Sequence, residues 1–132
     1  MSPAPCSRAD ALGRLTKAEQ FYGAAEDIRA LANEESDIGD AYVTLCVHAG
    51  IAAADAICCI ELGEHSQGQN HHEAVQLIKK VSRDGKLLSH SLGTLLRFKT
   101  RAGYSARPVN ADIRKRSQDA AQRLLTAARD RV

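Results

Sequence analysis

The feature that most constrains this fold is a 22-residue stretch, residues 41–62, in which most side chains are apolar. A helix that is apolar on every side lies either at the centre of a protein or in a membrane. His48 and Asp55 fall near the middle of the stretch, and an acidic residue at the bilayer centre costs about 2.5–3.5 kcal/mol on insertion scales. Many of the apolar residues are also alanine, so we predict a buried core helix over residues 38–62 and no membrane span.

Apolar residues recur three and four positions apart in four further segments, which is the spacing of a helix face. The predicted helices cover about 7–32, 71–81, 86–101 and 109–131. Ser36 and Asn70 are the predicted N-caps of the helices at 38–62 and 71–81. No β-alternation of useful length and no internal repeat occurs. Because 132 residues are enough for one domain with its own core, we predict a single all-α domain, 1–132. It would be an up-and-down bundle of four long helices plus one short helix, preceded by a flexible leader at residues 1–8.

The four cysteines do not show the spacing of a disulfide scaffold, since Cys58 and Cys59 are adjacent. We interpret all four as reduced thiols in a cytoplasmic protein, and the N-terminus does not look like a signal peptide. Adjacent pairs on a helix, here Cys58-Cys59 and His71-His72, point about 100° apart and chelate poorly. With no Cys-x-x-Cys or His-x-x-x-His spacing, no metal site and no cofactor are predicted.

Charge is distributed unevenly along the chain. Residues 1–82 hold 6 Lys/Arg and 12 Asp/Glu, a formal charge of −6, whereas residues 83–132 hold 12 and 4, a charge of +8, and the two add to the net +2. This division indicates either an acidic half packed against a basic half, or a basic face for an anionic partner.

Three stretches carry a family resemblance: residues 41–55 (AYVTLCVHAGIAAAD), 70–77 (NHHEAVQL) and 95–104 (LLRFKTRAGY). In this order and spacing they resemble the core helix, the short His-containing helix and the signature segment of the HEPN family of helical nucleotide- and RNA-associated domains. The resemblance spans about 40–130. It implies an RNA or nucleotide ligand, a homodimer, and association with a nucleotidyltransferase-type partner in a toxin–antitoxin or defence system.

HEPN members that cleave RNA carry an Arg followed, after four to six residues, by a His just before Gly-Tyr. Arg97 matches that Arg, but Ala102 stands where the His would be. A methyl group cannot transfer the proton that an imidazole would transfer during attack on a phosphodiester. Arg83 and His90 have a similar spacing but lie at the opposite end of the predicted helix, so the resemblance favours a non-catalytic domain.

The basic residues near this motif form the predicted ligand site. We expect Arg97, Arg101 and Tyr104 to hold a phosphate-bearing ligand, because guanidinium groups bind phosphate bidentately and tyrosine stacks on bases. Lys99 and Arg107 would add positive field. The alternative is that these cations stabilise a helix C-terminus and remain solvated.

Asp55 is the one acidic residue within the apolar stretch at 41–60, and a buried carboxylate needs a partner. His48, two helical turns earlier, is predicted to form a buried polar tie with Asp55, and Arg97 is an alternative partner. We favour a tie that fixes helix register over a role in a site.

Three functional hypotheses follow. The first is a non-catalytic HEPN-like module that binds RNA or a nucleotide. The second is a helix-bundle homodimerisation or protein-interaction domain without a nucleic-acid ligand. The third is an active ribonuclease with a non-standard residue, Tyr104 or His90, in place of the missing His.

Overall fold

The computed structural model describes residues 3–67 and 71–132, which are mostly helical, so the all-α prediction is confirmed. A short 3₁₀ helix, Glu35–Ile38, precedes the second α-helix. The remaining elements, in chain order, are β1 (Ala4–Pro5), α1 (Arg8–Leu31), α2 (Gly39–Leu62), β2 (Glu64–His65), α3 (His71–Ile78), α4 (Gly85–Gly103) and α5 (Ala111–Arg131).

α1 begins at a capping box, in which Asp10 N–H donates to Ser7 Oγ (3.1 Å) and Ser7 N–H donates to Asp10 Oδ2 (2.8 Å). Its fully buried residues are Ala11, Ala18 and Ala25, each seven positions after the last. Because alanine is small, this narrow seam lets the backbone of α1 approach α2 closely.

α2 is the central helix, as predicted, and packs against α1, α4 and α5. Gly50 leaves room for α4, since a Cβ built there would lie 2.2 Å from Leu95 Cδ1 and 3.3 Å from Leu124 Cδ1 on α5. Gly63 ends the helix with φ +70°, a left-handed conformation that glycine adopts without strain. Glu35–Leu62 is long and apolar enough to cross a membrane, but 61% of its most apolar window is buried inside the protein. Packing in the bundle accounts for its apolar character.

The start of α2 also fixes the start of α5. Ser36 was the expected cap, but α2 begins at Gly39 without a side-chain cap. Asp40 Oδ1 instead accepts a hydrogen bond from Val109 N–H (3.0 Å), and Asn110 caps α5 by accepting from Ile113 N–H (2.8 Å).

α3 ends at Ile78, three residues before its predicted end, and the predicted cap Asn70 lies outside the described residues. A tight turn follows, in which Asp84 adopts φ +63°. Gly85 comes so close to the preceding segment that a Cβ there would lie 2.6 Å from the Lys79 carbonyl oxygen.

The predictions of four free thiols and of a flexible leader are both wrong where the structure describes them. Cys6 and Cys59 form a disulfide across 53 positions of sequence. β1 pairs antiparallel with β2, and Cys6 N–H donates to Gly63 O (3.0 Å), so residues 3–7 are held against the end of α2. Cys46 and Cys58 remain free and buried.

Acidic and basic parts of the chain form ion pairs between helices. Arg129 on α5 pairs with Glu19 on α1 (3.2 Å), and Arg131 lies 3.7 Å from Glu61 on α2. Part of the charge asymmetry is therefore neutralised within the fold. Most of the Lys and Arg residues between positions 83 and 123 remain exposed to solvent.

Candidate ligand-binding groove at the end of α4

The five predicted ligand residues all lie on the last two turns of α4 or in the loop that follows. Helix geometry divides them, because positions four apart share a face whereas positions two apart diverge by about 200°. Arg97 and Arg101 therefore share one face, and Lys99 lies on another. The five residues do not converge on one point.

The Arg101 guanidinium group is hydrogen-bonded within the protein. Its Nε and Nη2 donate to the carbonyl oxygen of Pro108 at 3.2 and 2.8 Å. Together with the hydrogen bond from Val109 to Asp40, this contact anchors the far end of the loop that carries Tyr104 and Arg107. Arg101 thus positions the loop.

Arg97 lies on a basic face shared by α4 and α5. Its Nη2 donates to Thr94 Oγ1 (3.4 Å), and its guanidinium carbon lies 5.9 Å from the centre of the Phe98 ring. The guanidinium carbon of Arg116 lies 5.5 Å from the same ring. The sequence pattern missed Arg116, because its proximity to Phe98 depends on how α5 packs against α4.

Lys99 and Tyr104 line one pocket with α2. The pocket has a volume of about 130 Å³, and we call it the Lys99–Tyr104 groove. Tyr104 is 81% exposed, and Lys99 forms no ion pair within residues 3–67 and 71–132. The residues that line the groove are Thr44, Val47, His48, Lys99, Gly103 and Tyr104.

His48 belongs to this groove, so the predicted tie between His48 and Asp55 is wrong. The His48 side chain is exposed, and its ring centre lies 5.5 Å from that of Phe21. Residues seven apart lie about 10.5 Å apart along a helix axis, too far for a hydrogen bond between their side chains.

The partner of Asp55 is Arg14 on α1, not His48 or Arg97. Arg14 Nη1 donates to Asp55 Oδ2 (2.9 Å), and Arg14 Nη2 lies 3.3 Å from His65 Nε2. His65 Nδ1 lies 2.7 Å from the Ser66 carbonyl oxygen, which can only accept, so we assign the proton to Nδ1 and leave Nε2 to accept from Arg14. Burial raises the pKa of Asp55 to about 6, and the charge of Arg14 opposes that rise.

Ala102, which stands where the resemblance would place a catalytic His, is packed into the protein. Ala102 is 9% exposed and belongs to the hydrophobic core. Arg83 lies in the turn before α4 and His90 on its second turn, with His90 about 20 Å along the helix axis from Tyr104. The pair is therefore far from the groove.

Within residues 3–67 and 71–132, no group of three or more His, Cys, Asp or Glu side chains is arranged to hold a metal ion. No protein-family model matches the chain, and no curated protein matches its sequence.

Proposed function

We propose that the chain is a non-catalytic HEPN-like module that binds a phosphate-bearing ligand, RNA or a nucleotide, in the Lys99–Tyr104 groove. The observation that carries this proposal is the presence of an unpaired lysine and a highly exposed tyrosine in one pocket. A lysine ammonium attracts phosphate, and an exposed aromatic ring offers a base a surface on which to stack.

The anchored loop supports the same proposal. Tyr104 would lose less conformational freedom on binding, because Arg101 and Asp40 already hold the loop at Pro108 and Val109. In this arrangement Lys99 contacts the ligand phosphate, which the sequence analysis expected of Arg101. Arg97 and Arg107, both exposed, add positive field around the groove.

The proposal is tested by titrating labelled single-stranded RNA with the protein and following fluorescence anisotropy. Removing a stacked base contact by Tyr104→Ala is expected to weaken binding about 5- to 150-fold, which corresponds to about 1–3 kcal/mol per base. Tyr104→Phe keeps the ring and is expected to bind within about twofold of wild type, because stacking does not need the hydroxyl group. Equal affinity of Tyr104→Ala and wild type would remove the groove as the site.

The same samples test the two alternatives. Cleavage of the RNA, read on a denaturing gel, would favour the ribonuclease hypothesis, and loss of that cleavage in Tyr104→Phe or in a His90→Ala variant would identify the residue. A dimer by light scattering, with no RNA binding, would favour the protein-interaction hypothesis. The exposed side chains of Leu31 and Leu87 offer apolar surface for a second copy.

A further inference from the structure

A second cavity lies between α2, α3 and α4 and shares no lining residue with the Lys99–Tyr104 groove. Its volume is about 50 Å³. Its walls are mostly apolar and include Leu92 and Leu96. Three polar residues, Asp55, Ser66 and His71, also line it.

Asp55 and Ser66 are held by hydrogen bonds, and Asp55 and His71 keep capacity for a further one. Asp55 uses Oδ2 for Arg14, and within residues 3–67 and 71–132 its Oδ1 accepts no hydrogen bond. Ser66 Oγ donates to Glu73 Oε1 (3.2 Å). In the same part of the chain the His71 ring makes no hydrogen bond. Asp55, with one carboxylate oxygen free, and His71, with its ring free, therefore join Ser66 in lining a cavity whose other walls are apolar.

Charge limits what the cavity accepts. The Arg14 guanidinium neutralises Asp55, which removes the attraction for a second cation. Burial and the nearby charge of Lys99 lower the pKa of His71, which favours its neutral form. Apolar walls disfavour a bare anion, because they solvate its charge less well than bulk water does. Of cations, anions and neutral molecules, the cavity therefore favours a neutral ligand.

Volume limits its size. Each water-sized group needs at least about 10–15 Å³ of such a cavity. A cavity of about 50 Å³ therefore holds about three to five small groups. A nucleobase is too large, so this cavity does not serve as a base pocket for the RNA proposed above.

We infer that the cavity is a binding site for a neutral molecule of about five or fewer non-hydrogen atoms that carries an N–H or O–H donor. The donor bonds to Asp55 Oδ1, and the alkyl part packs against Leu92 and Leu96. A small primary amide has this chemistry.

Three probes of the same size and shape test the charge argument: propanamide, which is neutral, propanoate, an anion, and propanamidinium, a cation. Titration of ¹⁵N-labelled protein is expected to give saturable, millimolar shifts for propanamide at the amides of the lining residues. The two ions are expected to bind at least about tenfold more weakly. Tighter binding of propanamidinium than of propanamide would refute the inference that the ligand is neutral. The absence of a saturable shift with any of the three probes would mean that the cavity holds only water and would refute the binding site.

Two variants locate the site. Ala74 is a partly buried residue that lines the cavity, and the Ala74→Leu variant fills it. This substitution is expected to abolish the propanamide shifts. The matched control Ala127→Leu adds the same volume to a partly buried residue of α5 outside the cavity and is expected to leave binding unchanged. Retained binding in a folded Ala74→Leu protein, judged by its spectrum, would refute the assignment. RNA affinity measured on the same variants separates this site from the groove, because only the groove is expected to affect it.

Discussion

Breaking the Cys6–Cys59 disulfide is expected to lower the free energy of unfolding by about 4 kcal/mol. The bond closes a loop across 53 positions, and a cross-link of that span removes about 14 cal/mol/K of chain entropy from the unfolded state, which is about 4 kcal/mol at 25 °C. A loss of this size is a large fraction of the total stability of a small domain. Cys6→Ser is the preferred variant, because Cys6 is only partly buried whereas Cys59 is 4% exposed.

The measurement is urea unfolding of oxidised wild type, reduced wild type and Cys6→Ser. Oxidised wild type is expected to unfold at the highest urea concentration, and the other two samples should agree with each other. Reductant should leave Cys6→Ser unchanged, which controls for effects on the other thiols. Hydrogen exchange at Cys6 N–H, which donates to Gly63 O, should also accelerate on reduction. Identical unfolding of oxidised and reduced wild type, with four free thiols by peptide mapping in both, would refute the reasoning.

Three further predictions follow from packing and titration. Gly50→Ala is expected to destabilise the protein by about 1–2 kcal/mol, because its Cβ would displace Leu95 and overpacking outweighs the gain in helix propensity. Gly93→Ala, where a Cβ meets nothing within 4 Å, is expected to stabilise it by up to about 1 kcal/mol, and thermal unfolding measures both. The pKa of Asp55 is raised from 3.8 to about 6, so native Asp55 binds its proton more tightly than unfolded Asp55 does. The proton on Asp55 therefore stabilises the protein below about pH 4, and this stabilisation, at most about 3 kcal/mol, is lost as pH rises through 6. Urea unfolding of wild type between about pH 4 and 7 should show this loss of stability, and Asp55→Asn should not show it. A steeper decline in Asp55→Asn, or equal midpoints for Gly50→Ala and Gly93→Ala, would contradict these expectations.

Helix content was predictable from sequence because it depends on local spacing. The ends of α1, α2 and α4 fall within about three residues of their predicted positions, and Gly63 stops α2 as its lack of a Cβ suggests. The central position of α2 followed from its apolar residues alone. Its first turn was less predictable, since the 3₁₀ helix over Glu35–Ile38 replaces the expected Ser36 cap.

Contacts between distant parts of the chain were not predictable in the same way. Cys6 lies next to Cys59 where β1 pairs with β2, and no local sequence pattern predicts a pairing between segments so far apart in the chain. Arg14 lies 41 positions from Asp55, whereas His48 was the nearest candidate in sequence. Heptad spacing places side chains on one face of a helix but too far apart for a direct hydrogen bond.

The candidate site was predictable in part. The basic end of α4 with Tyr104 beside it was expected from the order of residues, and helix geometry separates Lys99 from the two arginines. The pocket that Lys99 shares with Tyr104 depends on the packing of α4 against α2. His48 and Arg116 join this end of the molecule through tertiary packing alone.

The salt dependence of RNA binding tests the central claim most directly, because each phosphate contact that is lost lowers the slope of log K against log salt by about 0.7 for a single strand. Lys99→Ala is compared with Lys86→Ala, which removes the same charge from an exposed position at the other end of α4. Lys99→Ala is predicted to lower the slope by about 0.7 and to weaken binding, while Lys86→Ala keeps the wild-type slope. Equal slopes for Lys99→Ala and wild type would contradict a phosphate contact at Lys99.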